Sequence, residues 1–137
     1  MNESTPTEDI FQHVRNLGLA DGQYVVVGGG LLVALGLLEW DGDVDICISQ
    51  EQFDIFKSQG WQQEEWKGKP VLKHGIYDVG IGFGDWNLED LQADALVLQG
   101  IPFISPQKLI AWKQAMGRPK DANHVALLQK YLEETQK

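Results

Sequence analysis

The sequence predicts an α/β (α+β) fold in a single domain: a mixed β-sheet flanked by helices, with further helices at the C-terminus. Three observations predict it. Helical and strand patterns alternate unevenly along the 137 residues, which argues for a mixed sheet rather than a doubly wound parallel one. The β-branched run Val25 to Val27, of the kind found in buried strands, stops at Gly28, Gly29 and Gly30 and leads into an apolar segment. A second strand pattern then opens with acids and runs from Asp43 to Ser49.

Thr5-Pro6-Thr7-Glu8 has the form of a capping box with proline at the first helical position, so a helix is predicted from about Pro6 to Leu17, ending at Gly18. Ile10, Phe11, Val14 and Leu17 form its apolar stripe. After a turn comes the strand Tyr24 to Val27, then the glycines, then an all-apolar and therefore buried helix from Leu31 to Leu38, weakened or ended by Gly36. Ser49-Gln50-Glu51-Gln52 caps a helix carrying Phe53 and Phe56 that ends at Gly60. Trp61 to Trp66 and Val71 to His74 read as strands around a turn at 67–70, and residues 76–83 as one more strand. Asp85 or Asn87 can cap a short helix through Leu91, and 95–98 with 101–104 form a hairpin around Gln99-Gly100. Ser105-Pro106 starts a helix that ends at Gly117, and a last helix runs from about Pro119 to Glu134.

Composition narrows the function. One domain of this length buries about 70% of the surface its unfolded chain exposes, enough for a core without staples. The lone cysteine, Cys47, rules out an internal disulfide and fits a reducing, cytoplasmic setting. The polar, acidic start is unlike a secretory signal, and no apolar run reaches the length of a membrane span. A net charge of −9 disfavours nonspecific binding to nucleic acid or anionic membrane, although Lys108, Lys113, Arg118 and Lys120 cluster late in the chain.

The chemistry-bearing residues sit around the glycines. A helix that starts directly after a glycine turn aims backbone N–H groups at whatever lies above it, an arrangement that favours phosphate. In the following strand Asp43, Asp45 and Cys47 share one face and Val44, Ile46 and Ile48 the other. Carboxylates two residues apart on a strand lie about 7 Å from each other. Their repulsion is about 2 kcal/mol at an effective dielectric of about 20. A divalent cation would relieve it, since Mg²⁺ takes one or two carboxylates plus substrate phosphates. Taken alone, such a pair also fits a solvated strand end. Asp78 stands on a strand face otherwise made of small residues and glycines, where a third acid could join the site or merely mark an edge.

The glycine turn, the short helix and Asp43-Val44-Asp45-Ile46 together resemble the nucleotidyltransferase superfamily of the polymerase-beta type, above all its single-domain and toxin-related, abortive-infection members. Ser105 to Asp121, with Lys113 on the helix and Gly117-Arg118-Pro119-Lys120-Asp121 after it, is similar to the same family, so the resemblance covers nearly the whole chain. It implies that Gly28, Gly29 and Gly30 hold a nucleotide triphosphate, and that Asp43, Asp45 and Asp78 form the catalytic, metal-binding set for two Mg²⁺ ions. It places Lys113, Arg118 and Lys120 near the nucleotide. The implied activity moves a nucleoside monophosphate from the triphosphate to a hydroxyl of a small molecule, RNA or protein. The chain departs from the family pattern at Gly30, where serine is frequent, at Glu39 and Asp41, which add negative charge, and at His124, where relatives often carry an acid. Those departures support an alternative: a catalytically weak or inactive member that binds a partner protein or serves in a toxin–antitoxin pair.

Overall fold

The computed structural model describes residues 6–135, with side chains from Ile10 onward, so the capping pattern at Thr5 lies outside the described residues. The chain folds as α1 (Pro6–Asn16), β1 (Tyr24–Val27), α2 (Gly30–Ala34), β2 (Val44–Ile48), α3 (Gln50–Ser58), β3 (Gln62–Trp66), β4 (Lys69–His74), β5 (Tyr77–Gly80), β6 (Gly82–Phe83), β7 (Trp86–Asn87), α4 (Leu88–Ala93), β8 (Leu96–Leu98), β9 (Ile101–Phe103), α5 (Pro106–Met116) and α6 (Pro119–Thr135). Among the described residues, seven strands form one sheet in the order β3-β4-β5-β2-β1-β9-β8. β2 runs parallel to β5 and β1 parallel to β9, and the remaining pairs are antiparallel. The sheet is therefore mixed, as the uneven alternation predicts.

Register divides the sheet into a dry face and a partly wet one. Phe103, Val26, Ile46, Val79 and Leu72 stand side by side across five strands. All five are buried. Burying each such side chain stabilises the fold by about 1.5–3 kcal/mol. Phe11 of α1 meets Phe103 edge-on at 5.7 Å, which seats the first helix on this face. One residue along, on the opposite face, the row reads Val27, Asp45, Asp78 and Lys73.

Local chemistry explains most of the elements. The Ser49 and Ser105 hydroxyls accept hydrogen bonds from Gln52 N and Lys108 N and so cap α3 and α5, while Asn87 and Asp90 form a full capping box on α4. Three expectations need correction. The helix predicted over 31–38 spans only Gly30–Ala34, because the chain turns at Gly36 (φ +77) and Leu37 N bonds back to Leu32 O. Leu37 and Leu38 pack against the core from a loop. The strand predicted over 76–83 breaks at Ile81: β6 leaves the main sheet and pairs with β7, and a side chain at Gly82 would meet the Trp86 carbonyl oxygen at 3.0 Å. The turn predicted over 67–70 is only Lys67-Gly68, since β4 already starts at Lys69. No helix among the described residues is long and apolar enough to cross a membrane.

Candidate functional site

Parallel pairing of β2 with β5 sets Asp45 directly opposite Asp78, although 33 positions separate them in sequence. Burial pushes the Asp45 carboxyl up to about 7, helped by the negative charge of Asp78, then by Asp43, by a side-chain hydrogen bond with Asp78, and by Asp41. A carboxyl in that state holds its proton near neutrality unless a cation or a donor takes the proton's place. Asp43 is exposed and precedes β2 by one residue. Its backbone is tied down twice: Asp43 N donates to Asp41 Oδ1 at 3.2 Å, and Trp40 Nε1 donates to the Asp43 carbonyl at 3.0 Å. Trp40 in turn lies on the His13 ring of α1, with centroids 4.4 Å apart, and Tyr77 Oη donates to the His13 carbonyl at 2.7 Å. The acidic loop is thus braced from α1, which Tyr77 of β5 in turn holds.

The glycine turn lies against this pair, and its three residues do different things. Gly28 has φ +70, and a Cβ there would stand 3.0 Å from Asp45 Oδ2. Only glycine combines that backbone with that approach. Gly29 has φ −65, and a Cβ would meet nothing within 4 Å. Gly30 faces the core: its missing Cβ would lie 3.1 Å from Val26 Cγ1 and 3.7 Å from Ile10 Cδ1. A serine hydroxyl at position 30 would point toward α1 and β1 rather than toward a ligand above the turn.

Lys73, unassigned in the sequence reading, belongs to the site. Its ammonium lies 3.5 Å from Asp78 Oδ1 and 3.9 Å from Glu64 Oε1. The signal was present in the sequence. A two-residue turn at Gly75-Ile76 pairs His74 with Tyr77, and that hairpin places Lys73 opposite Asp78.

Lys113, Arg118 and Lys120 belong to a second electrostatic cluster. Lys113 is buried, with its ammonium 3.4 Å from Asp121 Oδ1, and burial lowers its pKa. Arg118 donates from Nε and Nη2 to the same carboxylate, at 2.6 and 3.0 Å, and holds Asp121 down to about 2. This network pins the start of α6 to the end of α5. The charges acting on Asp45 come from Asp78, Asp43 and Asp41, whereas those acting on Lys113 come from Asp121, Arg118 and Lys120. Trp112 packs on Phe83 at 4.5 Å, and a side chain at Gly84 would meet it at 2.9 Å, so α5 is seated on the β6–β7 ribbon. Lys120 is exposed.

The site therefore offers a carboxylate pair with an ammonium in the same row and a glycine turn pressed against one acid. Its donors are oxygens, as a hard divalent cation requires. Among the described residues, no group of three or more His, Cys, Asp or Glu side chains is placed to hold a metal ion. Compared with protein-family models, curated proteins and solved structures, the chain matches none.

Proposed function

We propose that the protein is a nucleotidyltransferase that moves a nucleoside monophosphate from a nucleotide triphosphate to a hydroxyl acceptor with the help of Mg²⁺. The observation that carries this reading is Asp45 set against Asp78 with Gly28 pressed onto Asp45. One feature supports a cation there: the two carboxylates, opposite each other in the register, form an oxygen donor set. Asp45 and Asp78 would hold the cation, with Asp43 adding charge, and the bound ion would neutralise phosphoryl oxygens.

The chain's own groups divide the remaining work. The open backbone at Gly29 can approach phosphate oxygens closely. The acceptor oxygen bonds to the α-phosphorus as the bond to pyrophosphate breaks, and the hydroxyl proton needs a base. Asp78, opposite Asp45 in the register, is the carboxylate that would help take it. Lys113 and Arg118 act on the nucleotide side only by fixing α5 against α6, because both are engaged by Asp121.

Calorimetric titration with the four common nucleotide triphosphates, with and without Mg²⁺, tests the reading. Metal-dependent binding is expected, and D43A/D45A should abolish it while the protein stays folded. Unchanged binding in the double variant would remove the acid pair from the mechanism. One set of observations favours the partner-binding alternative: Gly30 turns inward and Lys113 is buried, which leaves fewer groups for a triphosphate. Absence of triphosphate binding by the folded protein would select it.

A further inference from the structure

Aromatic rings and basic side chains gather where the β3–β4 turn, the β6–β7 ribbon and α5 meet. The Trp112 ring lies 4.5 Å from Phe83 and 6.3 Å from Trp66, centre to centre. Gly84 lets the rings close: a Cβ there would stand 2.9 Å from Trp112 and 3.7 Å from Trp86. Trp66 ends the row. It keeps 43% of its surface exposed and takes no part in the hydrophobic core.

The charges beside these rings are sorted. Acids outnumber bases by 20 to 11 in the whole chain, and the basic groups over Trp86 and Trp112 have carboxylate partners: Lys108 at Asp94, Lys113 and Arg118 at Asp121. Lys67 and Lys69 differ. The Lys67 ammonium stands 5.3 Å over the Trp66 ring and donates to Met116 Sδ at 3.0 Å, while Lys69, the register partner of Trp66, donates to the Gly84 carbonyl at 2.7 Å. Both acceptors are neutral, and neither lysine has a carboxylate partner among the described residues. Glu65, next to Trp66 in sequence, leaves the opposite face of β3. Lys67 has φ +52 in a two-residue hairpin turn, a conformation that favours asparagine or glycine over lysine. Two ammonium groups are therefore held in place beside an exposed indole, with their charge left over for an anion from outside.

We propose that this surface binds a single strand of nucleic acid, with a base stacked on Trp66 and the flanking phosphates at Lys67 and Lys69. A single strand offers both complements in alternation, since every base has a π-face for an indole and every nucleotide carries a negative phosphate. A duplex keeps its bases inside the stack, and an acidic peptide segment brings carboxylates without flat rings. The proposal does not depend on metal or nucleotide at Asp45 and Asp78. The net charge of −9 repels the rest of the strand, so binding is modest and falls steeply with salt.

The probe is a fluorescein-labelled oligouridylate of a dozen nucleotides, its polarisation read between about 50 and 200 mM salt. EDTA is present, so no divalent ion contributes and the result is separate from any test of the acid pair. Wild type should bind saturably. W66A should weaken binding at least about fivefold, as loss of one stacked base does, and W66F should keep most of it. K67Q/K69Q should make the slope of log affinity against log salt shallower by about 1.4, at about 0.7 for each phosphate contact on a single strand. K57Q, at an exposed lysine of α3, should change neither quantity. The substituted side chains are all exposed, so folding is retained, and circular dichroism verifies it. No saturable binding by the folded wild type would overturn the proposal, as would unchanged affinity in W66A or an equal loss in K57Q. Equal binding of the matching duplex, or equal competition by polyglutamate, would overturn it too, because charge alone would then explain the surface.

Discussion

Asp45→Asn should make the protein more stable at pH 8 while abolishing the metal-dependent nucleotide binding proposed above. In the folded chain the Asp45 carboxyl rises from 3.8 to about 7, first through burial and then through Asp78. At about 1.36 kcal/mol per pH unit this is at most ~4 kcal/mol, and the side chain's residual contact with solvent reduces it to roughly 2–4 kcal/mol. The sign follows from which state binds the proton more tightly. Between about pH 4 and 7 the folded protein keeps the Asp45 proton and the unfolded chain releases it, so stability falls as pH rises through that window. Above about 7 the whole penalty is present. Asparagine is neutral throughout and similar in shape, so it avoids the penalty. Urea unfolding of wild type and D45N at pH 4.5 and pH 8, followed by tryptophan fluorescence, gives four free energies. The D45N advantage should be ~2–4 kcal/mol at pH 8 and shrink toward zero at pH 4.5. Mg²⁺ with nucleotide at about 100 times Kd should return about 2.7 kcal/mol to wild type at pH 8 and nothing to D45N. An equal difference between the variants at both pH values would refute the reasoning, because Asp45 would then have no proton affinity that depends on folding.

The other expectations concern the turn and the C-terminal network. Gly28→Ala should lower stability by about 1–3 kcal/mol, since it combines positive φ with the close approach to Asp45. Gly29→Ala should leave the melting temperature within a degree or two and weaken nucleotide binding in calorimetry, because only a ligand would meet the added methyl group. Asp121→Asn should cost about 3–5 kcal/mol in urea unfolding by leaving the Lys113 ammonium buried without its counter-ion, and replacing Lys113 and Asp121 together with Met and Leu should recover only the part due to that ammonium, because the hydrogen bonds from Arg118 stay lost. With Asp121 held at about 2, below its ordinary 3.8, the stability it contributes is complete above about pH 4 and lost as pH falls toward 2.

The signals legible in the sequence were those that act over short range. Caps at Ser49, Asn87 and Ser105, the stop at Gly117 and the hairpin at Gln99-Gly100 each depend on a few neighbouring residues. β6 and β7 escaped because two-residue strands carry no periodicity, and because Gly82 reads equally well as the end of a continuous strand. Pro70 looked like part of a turn, yet it is tolerated in β4, since β5 pairs with that strand only from Val71 onward and Pro70 faces Glu65 alone. The contact of Asp45 with Asp78 depends on strand order, which local pattern does not encode. The burial of Lys113 was equally hidden: a lysine on a helix next to Gly-Arg-Pro-Lys-Asp looks free until α6 folds back and places Asp121 on it.

The dry row beneath the site has a consequence for how the acids stay aligned. Because faces alternate along a strand, a slip of β5 by one residue against β2 would carry Asp78 into the layer that holds Ile46 and Val26, and would leave Val79 or Tyr77 beside Asp45. The apolar layer therefore works as a ruler: the fit of Val79 between Ile46 and Leu72 fixes the alignment of two carboxylates that it never touches. A change of shape at Val79, made on the far side of the sheet, would shift the spacing of the acids without altering a single polar group.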